Sequence, residues 1–119
     1  AVTVDGGALR TGESLIDAFT IASEAAGVLA VGVNCCAASE VSGALAAAAS
    51  AIRLPVVAYP NSGETWDAER RRWSGDPGRI ADAVPDWSAG GARLIGGCCR
   101  VGVDQIAEIA RTLGAKTGE

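Results

Sequence analysis

VLAVGVNCC, residues 28–36, is an apolar run that ends in an asparagine and two cysteines, and ARLIGGCCR, residues 92–100, repeats the arrangement around two glycines. LPVVAY at 54–59 is a third run of this type and AVTV at 1–4 a fourth. The runs at 28–34 and 54–59 are continuous rather than alternating, which marks parallel strands covered on both faces. Strands are therefore expected near 1–4, 28–34, 54–59 and 92–97. Between them lie amphipathic stretches. Leu15, Phe19, Ala22 and Ala26 share one helical face, and Gly27 stands where a C-cap belongs. Val41, Leu45, Ala48 and Ile52 do the same behind Ser39, a candidate N-cap. Ile80, Val84 and Trp87 surround Pro85 in a third stretch, and Ile106, Ile109 and Leu113 mark a fourth. The polar segment 60–77 is expected to mix a loop with a short helix, Arg70, Arg71 and Arg72 forming that helix's solvated face.

The resulting order, β-α-β-α-β-α-β-α, argues an α/β fold with parallel strands and right-handed crossovers. Four βα units equal half of a closed eight-stranded barrel, which takes about 250 residues. A small open sheet with helices on both faces is the alternative. The chain has 119 residues, and no linker divides it, so 1–119 is expected to be one domain.

Composition removes several classes of function. Net charge is −4, and the aromatics are three Trp, one Tyr and one Phe, so there is neither a basic stripe nor a stacking platform for nucleic acid. No apolar stretch reaches the roughly 18–20 residues of a membrane span. AVTVDGG lacks the charged start and cleavage pattern of a signal peptide. A cytoplasmic setting is the expectation, and there four cysteines serve as free thiols, metal ligands or redox groups rather than structural disulfides.

Parallel strands place their C-terminal ends on one rim, where functional groups gather. Cys35 and Cys36 end the second strand, Cys98 and Cys99 the fourth; Asn61, Ser62 and Gly63 follow the third, and Asp5 the first. The cysteines admit three roles. Burial is one, since free Cys is a common small core residue. Redox chemistry is another, with Cys35–Cys36 or Cys98–Cys99 closing a strained disulfide, although no Cys-x-x-Cys lowers a thiol pKa. The third is a metal site of Cys35, Cys98 and Cys99, whose soft thiolates favour zinc and leave a fourth position open. Successive strand residues face opposite ways, so Gly96 and Gly97 would have to supply the freedom that turns both cysteines to one ion. Cys36 has no such glycines beside it and reads as a packing residue.

GVNC at 32–35, YPNSGETWD at 59–67 and GGCCR at 96–100 together resemble the zinc-dependent homocysteine S-methyltransferase family, and the resemblance covers nearly the whole chain. It points to the branch that uses S-methylmethionine or S-adenosylmethionine. It implies the C-terminal half of a (β/α)8 TIM barrel, with Zn2+ held by Cys35, Cys98 and Cys99. Asn34 and Asn61 match motif asparagines and become candidate substrate-binding residues at the rim. The implied reaction moves a methyl group from a sulfonium donor to homocysteine, giving methionine. Homocysteine reacts as its thiolate, and coordination of its sulfur would deprotonate it at neutral pH. The chain begins at what would be the family's fifth strand. It is therefore expected to be a fragment, or to pair with a complementary half-barrel chain or with itself as a homodimer. An inactive zinc- or partner-binding fragment and a small thiol-redox domain are the rival expectations.

Overall fold

Three of the four apolar runs become one parallel sheet in the computed structural model, which describes residues 1–114. The chain opens with a short antiparallel hairpin, β1 (Val4–Asp5) and β2 (Ala8–Leu9), followed by helix α1 (Leu15–Glu24). Strand β3 (Val31–Asn34), helix α2 (Val41–Ala51) and strand β4 (Val56–Tyr59) come next. A second hairpin, β5 (Thr65–Asp67) and β6 (Arg72–Ser74), precedes helix α3 (Val84–Ala89), strand β7 (Ala92–Ile95) and helix α4 (Val103–Thr112). The parallel sheet has the order β3-β4-β7. Among the described residues, no helix is long and apolar enough to cross a membrane.

The expected first strand shrinks to a single parallel bridge. Val2 donates to the Gly32 carbonyl at 2.9 Å and accepts from the Asn34 amide at 3.1 Å. The chain then reverses at Gly6 and Gly7, whose φ values of 61° and 83° give the two-residue turn that suits strand twist. The Glu40 carboxylate accepts from both glycine amides, at 2.8 and 3.1 Å, and fixes that turn.

Segment 60–77 also departs from expectation: it holds a β-hairpin, not a helix. Trp66 faces Trp73 across the strands, and the Asp67 carboxylate accepts from the Glu69 and Arg70 amides at 3.1 and 3.0 Å. Such an Asx-type turn competes with helix formation. The three arginines thus occupy the hairpin's exposed end, Arg71 with φ 51°. At the helix starts, Ser14 caps α1 through the Asp17 amide, at 3.3 Å. Ser39 does not cap α2, because a 3-10 turn over Ala38–Glu40 leads straight into that helix. Pro85 sits in the first turn of α3, where its missing N–H costs nothing.

The core lies on one side of the sheet. Val31, Val33, Val56, Ala58 and Ala92 are buried there together with Phe19, Val41, Leu45, Val84 and Trp87 from the helices and their flanks. The other side carries Gly32, Asn34, Val57, Tyr59 and Leu94, which register places in cross-strand rows. That side is uncovered enough to leave Leu94 53% exposed. The expectation of strands covered on both faces therefore fails within these residues. Continuous apolar sequence does not distinguish a face under helices from a face awaiting cover.

Gly32 is required by that pairing, since a Cβ there would collide with the Val57 carbonyl oxygen. Gly43, exposed within α2, would meet nothing within 4 Å. Gly32→Ala is expected to lower stability by about 3 kcal/mol or more, and Gly43→Ala to raise it by about 0.5–1 kcal/mol. Urea midpoints moving in opposite directions would bear this out; equal midpoints would show that β3 and β4 do not approach so closely.

Candidate metal centre

The hydrogen-bond ladder continues beyond the strand ends and draws the cysteine segments together over the end of β4. Cys35 N donates to Tyr59 O at 3.3 Å and Cys98 N to Pro60 O at 2.8 Å. In return Asn61 N donates to Cys36 O at 2.9 Å and Ser62 N to Cys99 O at 3.0 Å. Residues 60–62 are thus gripped from both sides.

Within the first segment, Cys35 adopts a left-handed backbone, φ 52°, which breaks strand alternation and separates two neighbouring side chains. Cys36 turns into the core and is 2% exposed. Burial pushes its thiol pKa up, keeping it neutral. Cys35 stays at the rim. In the second segment neither Gly96 nor Gly97 takes a positive φ. Gly97 is needed for space instead: a Cβ would run into the Val101 side chain, folded back by a turn in which Val101 N donates to Cys98 O at 3.2 Å. The expected conformational freedom is therefore replaced by close approach, and the left-handed residues are Cys35 and Arg100, φ 66°.

Cys35, Cys98 and Cys99 bring their sulfurs within 4.8 Å of one another. The Cys98 and Cys99 sulfurs are 4.0 Å apart, close to the roughly 3.8 Å that tetrahedral coordination with Zn–S near 2.3 Å implies. Cys35 and Cys98 are joined as a disulfide, with Cα atoms 5.4 Å apart and a sequence separation of 63. The redox pairing expected from sequence, between adjacent cysteines, is therefore not the one formed: neighbours diverge while the ends of β3 and β7 converge. A disulfide and a pair of thiolate ligands are alternative states of the Cys35 and Cys98 sulfurs, two electrons apart.

Both rim asparagines touch this centre. Asn34 Nδ2 donates to Cys35 Sγ at 3.4 Å. Asn61 Nδ2 donates to Cys35 O at 3.2 Å, while its Oδ1 accepts from Cys99 N at 3.1 Å. One amide side chain thereby links the two cysteine segments. Below it, buried Ser62 accepts from Glu64 N at 3.2 Å, and Glu64 pairs with Arg100 at 3.0 Å, anchoring the base of the β5–β6 hairpin beside Cys99.

The centre opens into a cleft of about 550 Å³ lined by Cys35, Cys99, Asn61, Thr3, Arg10, Trp66 and Trp73. Sequence reasoning missed the tryptophans and Arg10. The signal for the former was present in TWD and RWS, two short alternating stretches centred on tryptophan and joined by a charged turn.

Residues 1–113 match the sequence profile of the family described as Homocysteine S-methyltransferase. The chain is 40% identical over 114 residues to homocysteine S-methyltransferase 3 of Zea mays, an alignment covering 92% of this chain and 33% of the relative. It is similar to the crystal structure of homocysteine methyltransferase MmuM from Escherichia coli in its oxidized form, with TM-score 0.74, 36% identity, and coverage of 92% and 33%. The metallated form of the same protein matches with TM-score 0.73, 35% identity and the same coverage, 92% and 33%. The chain thus spans about a third of the length of the curated relatives it matches.

Asn61→Ala is expected to weaken binding of Co2+ by the reduced chain about tenfold or more, because its two ties orient both thiolate segments. The thiolate-to-cobalt absorption band would be followed in a metal titration. Unchanged affinity would mean that the backbone ladder alone holds the segments.

Proposed function

The chain belongs to the homocysteine S-methyltransferase family, and from that premise we propose that it supplies the thiolate ligands for zinc-dependent methyl transfer to homocysteine. The supporting observation is the meeting of three cysteine sulfurs, from segments 63 residues apart, under an open cleft. Three soft donors with one position left open suit zinc in a catalytic rather than a closed structural site. Cys35, Cys98 and Cys99 would hold the ion. When bound, zinc supplies positive charge that favours the thiolate form of a homocysteine sulfur at the open position.

The remaining work falls to the chain's own residues. Asn61 orients both ligand segments through their backbones, and Asn34 donates to the Cys35 sulfur. Asn34 also stands beside Tyr59 at the rim end of the sheet, which supports a role for it in binding substrate there. In the transfer, the methyl–sulfur bond of the donor breaks with its electron pair left on the donor sulfur. A new bond forms to the homocysteine sulfur, whose proton goes to solvent; the chain contains no histidine to take it. S-methylmethionine or S-adenosylmethionine is the donor in this proposal, methionine the product, and the cytoplasm, where thiols stay reduced, the setting.

Residues 1–119 are further proposed to be part of one (β/α)8 barrel domain, contributing its last four βα units. Support comes from the uncovered sheet face with Val57, Tyr59 and Leu94, and from the coverage of only a third of the relatives' length. A complementary half-barrel, in the same polypeptide or in another chain, or a second copy of this chain, would cover that face and pair the open strand edge.

The Cys35–Cys98 disulfide favours one other reading, a thiol-redox domain. Zinc analysis of the reduced chain separates the two. One zinc per chain is expected, retained in Cys36→Ser and lost in Cys35→Ser, Cys98→Ser and Cys99→Ser. Equal tolerance at all four positions would end the zinc assignment. A two-electron thiol titration with no metal bound would favour the redox domain.

A further inference from the structure

We propose that Trp66 and Trp73 form the docking surface for the methylated onium group of the substrate, placed over the cysteine centre. The sulfonium chemistry rests on the methyl-transfer reading above; the existence of a cation-binding surface rests on the hairpin. The two indoles are cross-strand partners with ring centroids 5.5 Å apart and planes tilted by 56°. Neither belongs to the hydrophobic core, and Trp66 is 49% exposed. Both line the cleft that contains Cys35, Asn61 and Cys99. A pair serving only to stiffen the hairpin could face either way; this one lines the cleft that Cys35 and Cys99 also line.

Tilted indole faces present negative quadrupole density, which attracts a methylated cation too poorly hydrated to prefer water. The surroundings support a cation. Asp5, Glu40 and Glu64 line the adjoining part of the cleft with Arg10; Glu64 is paired with Arg100, which leaves two carboxylates against one guanidinium. Arg10 is exposed and, among the described residues, in no ion pair, so it is available to an amino-acid carboxylate. An onium amino acid carries both groups. Methyl transfer from a sulfonium removes its positive charge, so the same surface would hold the donor more tightly than the neutral thioether left behind. It thereby favours product release and donor selection through a single interaction.

The test is a binding titration of the reduced, zinc-loaded full chain, read by tryptophan fluorescence. S-methylmethionine is expected to bind saturably and at least about tenfold more tightly than methionine, which lacks only the methyl group and the charge. Trimethylsulfonium and tetramethylammonium, run in parallel, show whether the surface prefers sulfonium or accepts any methylated cation. Trp66→Leu and Trp73→Leu should each abolish the preference, and Trp66→Phe, which keeps a π face, should retain part of it. Zinc content unchanged from the parent chain reports that each variant is folded. Equal binding of S-methylmethionine and methionine, or a preference undiminished in both leucine variants, would overturn the proposal. Because the titration reads binding alone, an onium preference in a chain whose zinc content tolerates serine at all four cysteines would sink the proposed function and leave this surface standing. Transferase activity with an undiminished preference in the leucine variants would do the reverse.

Discussion

The hydrogen bonds that run past the ends of the parallel strands are the constraint on which the site depends. A ladder ordinarily stops where strands end, and the loops beyond are free to wander. Here Cys35 and Cys98 both donate backward to the end of β4 and its extension, and Asn61 and Ser62 donate outward to Cys36 and Cys99. The four bonds make the segment after β4 a shared floor for two loops that never touch in sequence. The Asn61 side chain adds a second layer, tying a carbonyl of one loop to an amide of the other. Groups held by several short bonds to one rigid strand lose little further entropy when a ligand arrives, which is how a site becomes preorganised.

The convergence of the cysteines was legible because it follows from topology alone. Apolar runs followed by helical periods fix parallel strands, and parallel strands bring Cys35, Cys98, Cys99 and Asn61 to one rim. Local geometry was not legible in the same way. Gly97 looked like a hinge and is a spacer against Val101, a distinction that only the path of the following turn decides. The left-handed residue is Cys35, which no propensity marks. Segment 60–77 resisted for another reason: a dense run of charge hides a period-two pattern when each strand has only three residues. Val2 shows the limit at the other end, since AVTV is strand-like in sequence but the Gly6–Gly7 reversal takes it out of the sheet after one bridge.

The two faces of the sheet have unequal histories of burial. Helices cover Val31, Val33, Val56, Ala58 and Ala92, and Trp87 is fully enclosed with them. Val57, Tyr59 and Leu94 form the opposite row, and Gly32 at its edge removes a side chain where the β4 backbone comes closest. An asymmetric layer of this kind is stable on one side and expectant on the other. It also aims the rim, because Asn34 closes the uncovered row and Cys35 follows immediately.

The Cys35–Cys98 bond shares its atoms with the ligand set, and that overlap makes oxidation and metal occupancy compete by mass action. A metal that binds only the dithiol lowers the reduced state's free energy by RT ln(1 + [M]/Kd). Once the metal is in excess of its Kd, each further tenfold in its free concentration makes the pair about 30 mV easier to keep reduced. The centre would then report the metal supply of its surroundings as an electrochemical potential, with the third thiol, Cys99, outside the disulfide in one state and a ligand in the other.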